Sequence, residues 1–89
     1  MKKFKVKILV SPKENIKNPQ GETLSRLLKN LELENTANAS VGKYYTLELS
    51  ADNKELMIEK ANKISTEILS NPLVEDFEMA EIKELVEND

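Results

Sequence analysis

The chain has 89 residues, a formal net charge of −3, and neither cysteine nor histidine. That length holds one domain, and the composition excludes disulfides, thiol nucleophiles, zinc–thiolate sites and imidazole general bases. Two tyrosines, two phenylalanines and no tryptophan on an acidic chain leave neither a base-stacking platform nor the basic footprint of a nucleic-acid binder.

The opening MKKFKVKILV alternates: Phe4, Val6, Ile8 and Val10 share one face, and Lys3, Lys5 and Lys7 the other. Period two with one apolar face predicts a half-buried strand, its lysine row solvated and suited to discouraging edge pairing. No small-residue cleavage site follows, and no apolar run reaches the length of a membrane span, so a cytoplasmic chain with no membrane contact is expected. Ser11–Lys17 reads as a loop. Asn18 then caps a helix with Pro19 at its first position, and Leu24, Leu27, Leu28 and Leu31 form one apolar stripe that should fade near Glu32–Asn35.

In residues 37–51 the apolar side chains Ala37, Ala39, Val41, Tyr45, Leu47 and Leu49 all hold odd positions around Gly42 and Lys43. A hairpin with a three-residue loop pairs Val41 with Tyr45 and keeps that parity; so does one long strand bent at Gly42. Asp52–Glu55 resembles a capping box, and Met57, Ala61, Ile64 and Ile68 carry a second helix to Leu69, stopped by Asn71-Pro72. A last strand is predicted over Leu73–Ala80, at an edge because Glu75 breaks its apolar face. In residues 81–89, Ile82, Leu85 and Val86 have the spacing of a short helical or frayed tail. The order β-α-β-β-α-β predicts an α+β two-layer sandwich, ferredoxin-like or a close variant, with one domain over residues 1–80. Two helices would cover one face of an antiparallel sheet.

Little here can do chemistry alone. Glu75, Asp76, Glu78 and Glu81 read as a solvated acidic edge, because alternation splits them between two faces. Gly42-Lys43 lacks the upstream glycine, the following Ser/Thr and the helix of a phosphate loop. Asn18–Gly21 offers free N–H groups at a helix start, which favour an anion. With Lys17 the one cation beside it, a capped turn is the preferred reading over an anion cradle. No catalytic, cofactor or metal residue is expected.

The punctuation is more informative as a set. Asn-Pro-x-Gly at Asn18–Gly21, Val-Gly-Lys at Val41–Lys43 and Asn-Pro-x-x-Glu at Asn71–Glu75 follow a strand that leads into a proline-containing loop. From Lys3 to about Met79 this order resembles PurS, the small subunit of phosphoribosylformylglycinamidine synthase in purine biosynthesis. The family often has Asp where Asn18 stands, and one aromatic residue where Tyr44 and Tyr45 follow Lys43.

The resemblance implies a subunit without its own active site, bridging a large synthetase subunit and a glutaminase subunit and helping to keep an ammonia path closed. ATP and magnesium are then expected on the large subunit, and none on this chain. A homodimer is implied, with Val41, Tyr45, Leu47 and Leu49 at its sheet contact. Asn18, Pro19, Gly21, Gly42, Lys43 and Tyr44 are candidates for contacts with the large subunit, and the backbone close to Gly21 is expected to belong to another subunit. The alternatives are a small-molecule-sensing domain of the same shape, and an RNA-binding domain that would rely on Tyr44.

Overall fold

The computed structural model describes residues 1–31 and 39–86. Its elements are β1 (Lys2–Pro12), α1 (Pro19–Asn30), β2 (Lys43–Ala51), α2 (Lys54–Ile64) and β3 (Glu75–Leu85). The strands form an antiparallel sheet in the order β2-β1-β3.

The alternation in β1 does what its period requires: Phe4, Val6, Ile8 and Val10 are buried, and the lysines lie on the opposite face. Its place is central, so the reading of the lysine row as edge protection is corrected; β1 is paired on both sides. The lysines instead meet acids. Lys7 Nζ lies 3.1 Å from a Glu81 carboxylate oxygen, and at the sheet's ends Lys2 and Lys13 pair with Glu84 and Asp76. The hydrogen bond from Lys7 to Glu81, with the carboxylate's charge and that of Tyr44, raises the Lys7 pKa above its ordinary value.

α2 starts one residue later than the D-x-x-E reading suggests. Asn53 is the cap, its Oδ1 accepting from Leu56 N at 2.9 Å. Met57 and Ala61, one turn apart, are fully buried against β1 and Ala51. The helix continues as a π-helical turn over Ser65–Leu69, closed by Ser70, whose N and Oγ both donate to the Ser65 carbonyl. The Asn-Pro-x-x-Glu run is the turn that launches β3. Asn71 N donates to Glu75 Oε1 at 2.7 Å, Asn71 Oδ1 accepts from Leu73 N, and Lys13 N ties the turn to β1 through the Val74 carbonyl.

Two expectations are corrected. First, β3 begins at Glu75 and runs to Leu85, so residues 81–85 are strand, not a helical or frayed tail, and the unit does not end at residue 80. The cause is a bulge. Lys7 faces Glu81 and Ile8 faces Met79, so Ala80 is the extra residue. Phe77, Met79 and Ile82 all reach the core although their spacing switches parity at Ala80. Second, no hairpin forms within the described part of residues 37–51. Ala37 lies outside the described residues, Ala39–Gly42 are unpaired, and a single strand begins at Lys43 and pairs with β1. The sheet is thus three-stranded among the described residues, in the order β-α-β-α-β. It keeps the α+β class, the antiparallel pairing and the two helices.

The molecule is long and thin, 54 × 30 × 15 Å, with a Cα radius of gyration of 17.2 Å. A compact domain of this length has about 12 Å.

A candidate protein interface at the first helix

Asn18 adopts an extended backbone, and its Oδ1 accepts from Gly21 N at 2.7 Å. Pro19, at the first helical position, has no N–H to satisfy. The helix start is therefore built from the same residues that the sequence singles out. Gly21 is the one buried residue of α1. A Cβ there would stand 2.5 Å from the Ala39 carbonyl oxygen and 3.0 Å from Ser40 Cα. The close backbone neighbour is thus the chain's own segment 39–40, and the expectation that another subunit supplies it is corrected. Four residues on, Ser25 Oγ accepts from Ala39 N at 2.7 Å. Gly42 serves the same purpose beyond: a Cβ would stand 2.5 Å from the Val10 carbonyl oxygen. Segment 39–42 is so pinned at one end to α1 and at the other to the end of β1.

The other candidates separate into two groups. Lys43 and Tyr44 are exposed where β2 begins, and Tyr44 lies on the lysine face, opposite Leu9. Tyr45, Leu47 and Leu49 are opposite Ile8, Val6 and Phe4, and pack on this chain's own core; Val41 is half-buried. The outer backbone edge of β2 has no neighbouring strand among the described residues.

α1 presents two faces with different chemistry. Leu24, Leu27 and the C-terminal Leu31 are 40%, 57% and 66% exposed, so the leucine stripe is left open. Glu22, Ser25, Arg26 and Lys29, at i, i+3, i+4 and i+7, line the opposite side of a groove of about 620 Å³ shared with Asn15–Asn18 and Ala39–Ser40. Arg26 and Lys29 were not singled out from sequence; the polar i, i+3, i+4, i+7 face alternating with the leucines was the available signal. Four of the acids of β3 have partners, Glu75 in Asn71, Asp76 in Lys13, Glu81 in Lys7 and Glu84 in Lys2. Among the described residues no cluster of three or more acids could hold a metal ion, and no helix is long and apolar enough to cross a membrane.

These features make the first helix the candidate contact surface of the chain. The family model "PurS: Phosphoribosylformylglycinamidine (FGAM) synthase" matches residues 5–83. The chain is 37% identical over 79 residues to the phosphoribosylformylglycinamidine synthase subunit PurS of Thermotoga maritima, covering 89% of this chain and 96% of that protein. Among solved structures, PurLQS from Thermotoga maritima contains a chain 36% identical with a TM-score of 0.77, over 96% of this chain and 100% of that one. Thermus thermophilus PurS matches with a TM-score of 0.76 at 29% identity, over 94% of this chain and 99% of that one. With the match spanning both strands that flank the sheet centre and both helices, the chain belongs to the PurS family.

Proposed function

We propose that this chain is a small, non-catalytic subunit of the ATP-dependent phosphoribosylformylglycinamidine synthase assembly of de novo purine biosynthesis. In this reading it bridges the synthetase and glutaminase subunits in the cytoplasm. The observation that carries the reading is the open leucine stripe of α1 on a thin, extended chain of this family. A domain that buries so little by itself gains stability by association.

Two copies associate first, through the leucine stripe and the free edge of β2, since one exposed patch meeting its own image closes a dimer. The large subunit binds ATP and magnesium and activates the amide oxygen of formylglycinamide ribonucleotide; the glutaminase subunit releases ammonia. Free ammonia in water is diluted and protonated, so transfer between separate chains needs a sealed contact. This subunit supplies that contact, with Lys43, Tyr44 and the Asn18–Gly21 turn toward the large subunit. Lys43→Glu weakens capture of the large subunit and leaves the dimer intact.

Reconstitution tests the proposal. Amidine formation by the large and glutaminase subunits is followed with glutamine and, separately, with ammonium. The reading expects glutamine-dependent turnover to require this chain while ammonium-dependent turnover persists without it. Full glutamine-dependent activity in its absence would exclude the bridging role.

A further inference from the structure

The groove beside α1 gathers three cations from two parts of the chain: Lys17 from the loop before the helix, and Arg26 and Lys29 from successive turns. None of the three forms an ion pair among the described residues, whereas Lys2, Lys7 and Lys13 each have an acid partner. Among the described residues Glu22 is the single acid in the lining, at the end near the helix start. Ser25, Asn15 and Asn18 add hydrogen-bonding groups, and Ile16, 42% exposed, adds an apolar wall. On a chain of net charge −3, this is a local reversal of sign.

We infer that this groove receives an acidic segment of another subunit, with carboxylates seated against Arg26 and Lys29. The inference rests on the subunit reading above and names the chemistry of one of its contacts. A single phosphate group fits the geometry less well. The cations are spread along about one turn of helix and across to the loop, rather than aimed at one point. None of them is buried, and the Asn18 side chain already takes the Gly21 N–H. A segment lying along the groove meets the cations in series, uses Ile16 for apolar contact and stays clear of Glu22. Arg26 can grip a carboxylate with two parallel hydrogen bonds, and the charges steer encounter as well as holding the complex.

The test uses the full chain with the isolated synthetase and glutaminase subunits, measuring affinity across a salt series. Arg26→Glu combined with Lys29→Glu is expected to weaken binding to one of them at least about tenfold and to flatten its salt dependence. Both sites are exposed, so the thermal midpoint of the variant should stay close to that of the parent, and Arg26→Lys should restore part of the affinity. Unchanged affinity and salt dependence in the double variant would overturn the inference while leaving the subunit reading standing. Failure of the parent chain to bind either subunit would overturn both. Saturable binding of ribose 5-phosphate to the isolated chain, lost in the double variant and competing with subunit binding, would overturn it in favour of a small phosphate ester.

Discussion

The two helices of this protein have opposite relations to the sheet. α2 is the less obviously amphipathic in sequence, yet Met57 and Ala61 on it are sealed against β1, and Ser65 follows them into the interior. α1 carries the cleaner leucine stripe and leaves it in solvent, contributing only Gly21 to the buried set. Polar and backbone ties hold α1 in place: the Asn18 cap, the Ser25 bond to Ala39 and the close approach at Gly21. Among the described residues, α2 packs its buried side chains on the sheet, whereas α1 is held in place with its leucine stripe uncovered. A strong apolar stripe calls for burial, and among the described residues nothing buries this one, which is what the proposed association would do.

The comparison can be tested by substitutions of decreasing effect. Met57→Ala removes a fully buried side chain from the core formed by the described residues, and should cost about 2–5 kcal/mol by urea unfolding. A loss below 1 kcal/mol, on the order of an exposed substitution, would mean that the α2 half is not the self-sufficient one. Gly21→Ala forces a methyl group onto the Ala39 carbonyl, 2.5 Å away, where the obstacle is backbone. The expected cost is about 1–3 kcal/mol, with faster amide exchange in α1 than in β1. Asn18→Ala, which frees the Gly21 N–H, should cost about 1 kcal/mol, and Asn18→Asp should be close to neutral.

The smallest effect concerns the lysine face. The Lys7 pKa is raised by Glu81, so the pair's contribution is fully present below the ordinary lysine range and is lost as pH rises through the raised value. The pair is exposed, and its worth is small. Thermal midpoints of the parent and Glu81→Gln should differ slightly near neutral pH and converge in strong alkali. A difference that grows with alkalinity would contradict this assignment.

Much of the architecture could be read from residue spacing, because the relevant rules are local. β1 follows from its alternation, and the Asn18-Pro19 start follows from capping chemistry. The hidden parts depend on events that spacing cannot register. The bulge at Ala80 breaks the strand parity between Met79 and Ile82, and the spacing of Ile82, Leu85 and Val86 beyond it imitates a helix. The odd-numbered run before Gly42 keeps strand parity although Ala39 and Ser40 are spent on α1 and never join the sheet. The apolar face of Tyr45, Leu47 and Leu49 looks the same in sequence whether it meets its own core or a partner; in the single chain these side chains pack on the core and stay half-buried. Spacing shows Lys17 beside the helix start but not Arg26 and Lys29, which the turn between them brings to the same groove.

In the function proposed above, the α1 half is completed by association. Sedimentation velocity of the full chain, run beside the Leu24→Glu, Leu27→Glu variant, tests it most directly. The parent is expected to sediment as a dimer and the variant as a folded monomer, with far-ultraviolet circular dichroism preserved. A parent that stays monomeric at every concentration, or a variant that sediments as the parent does, would contradict it.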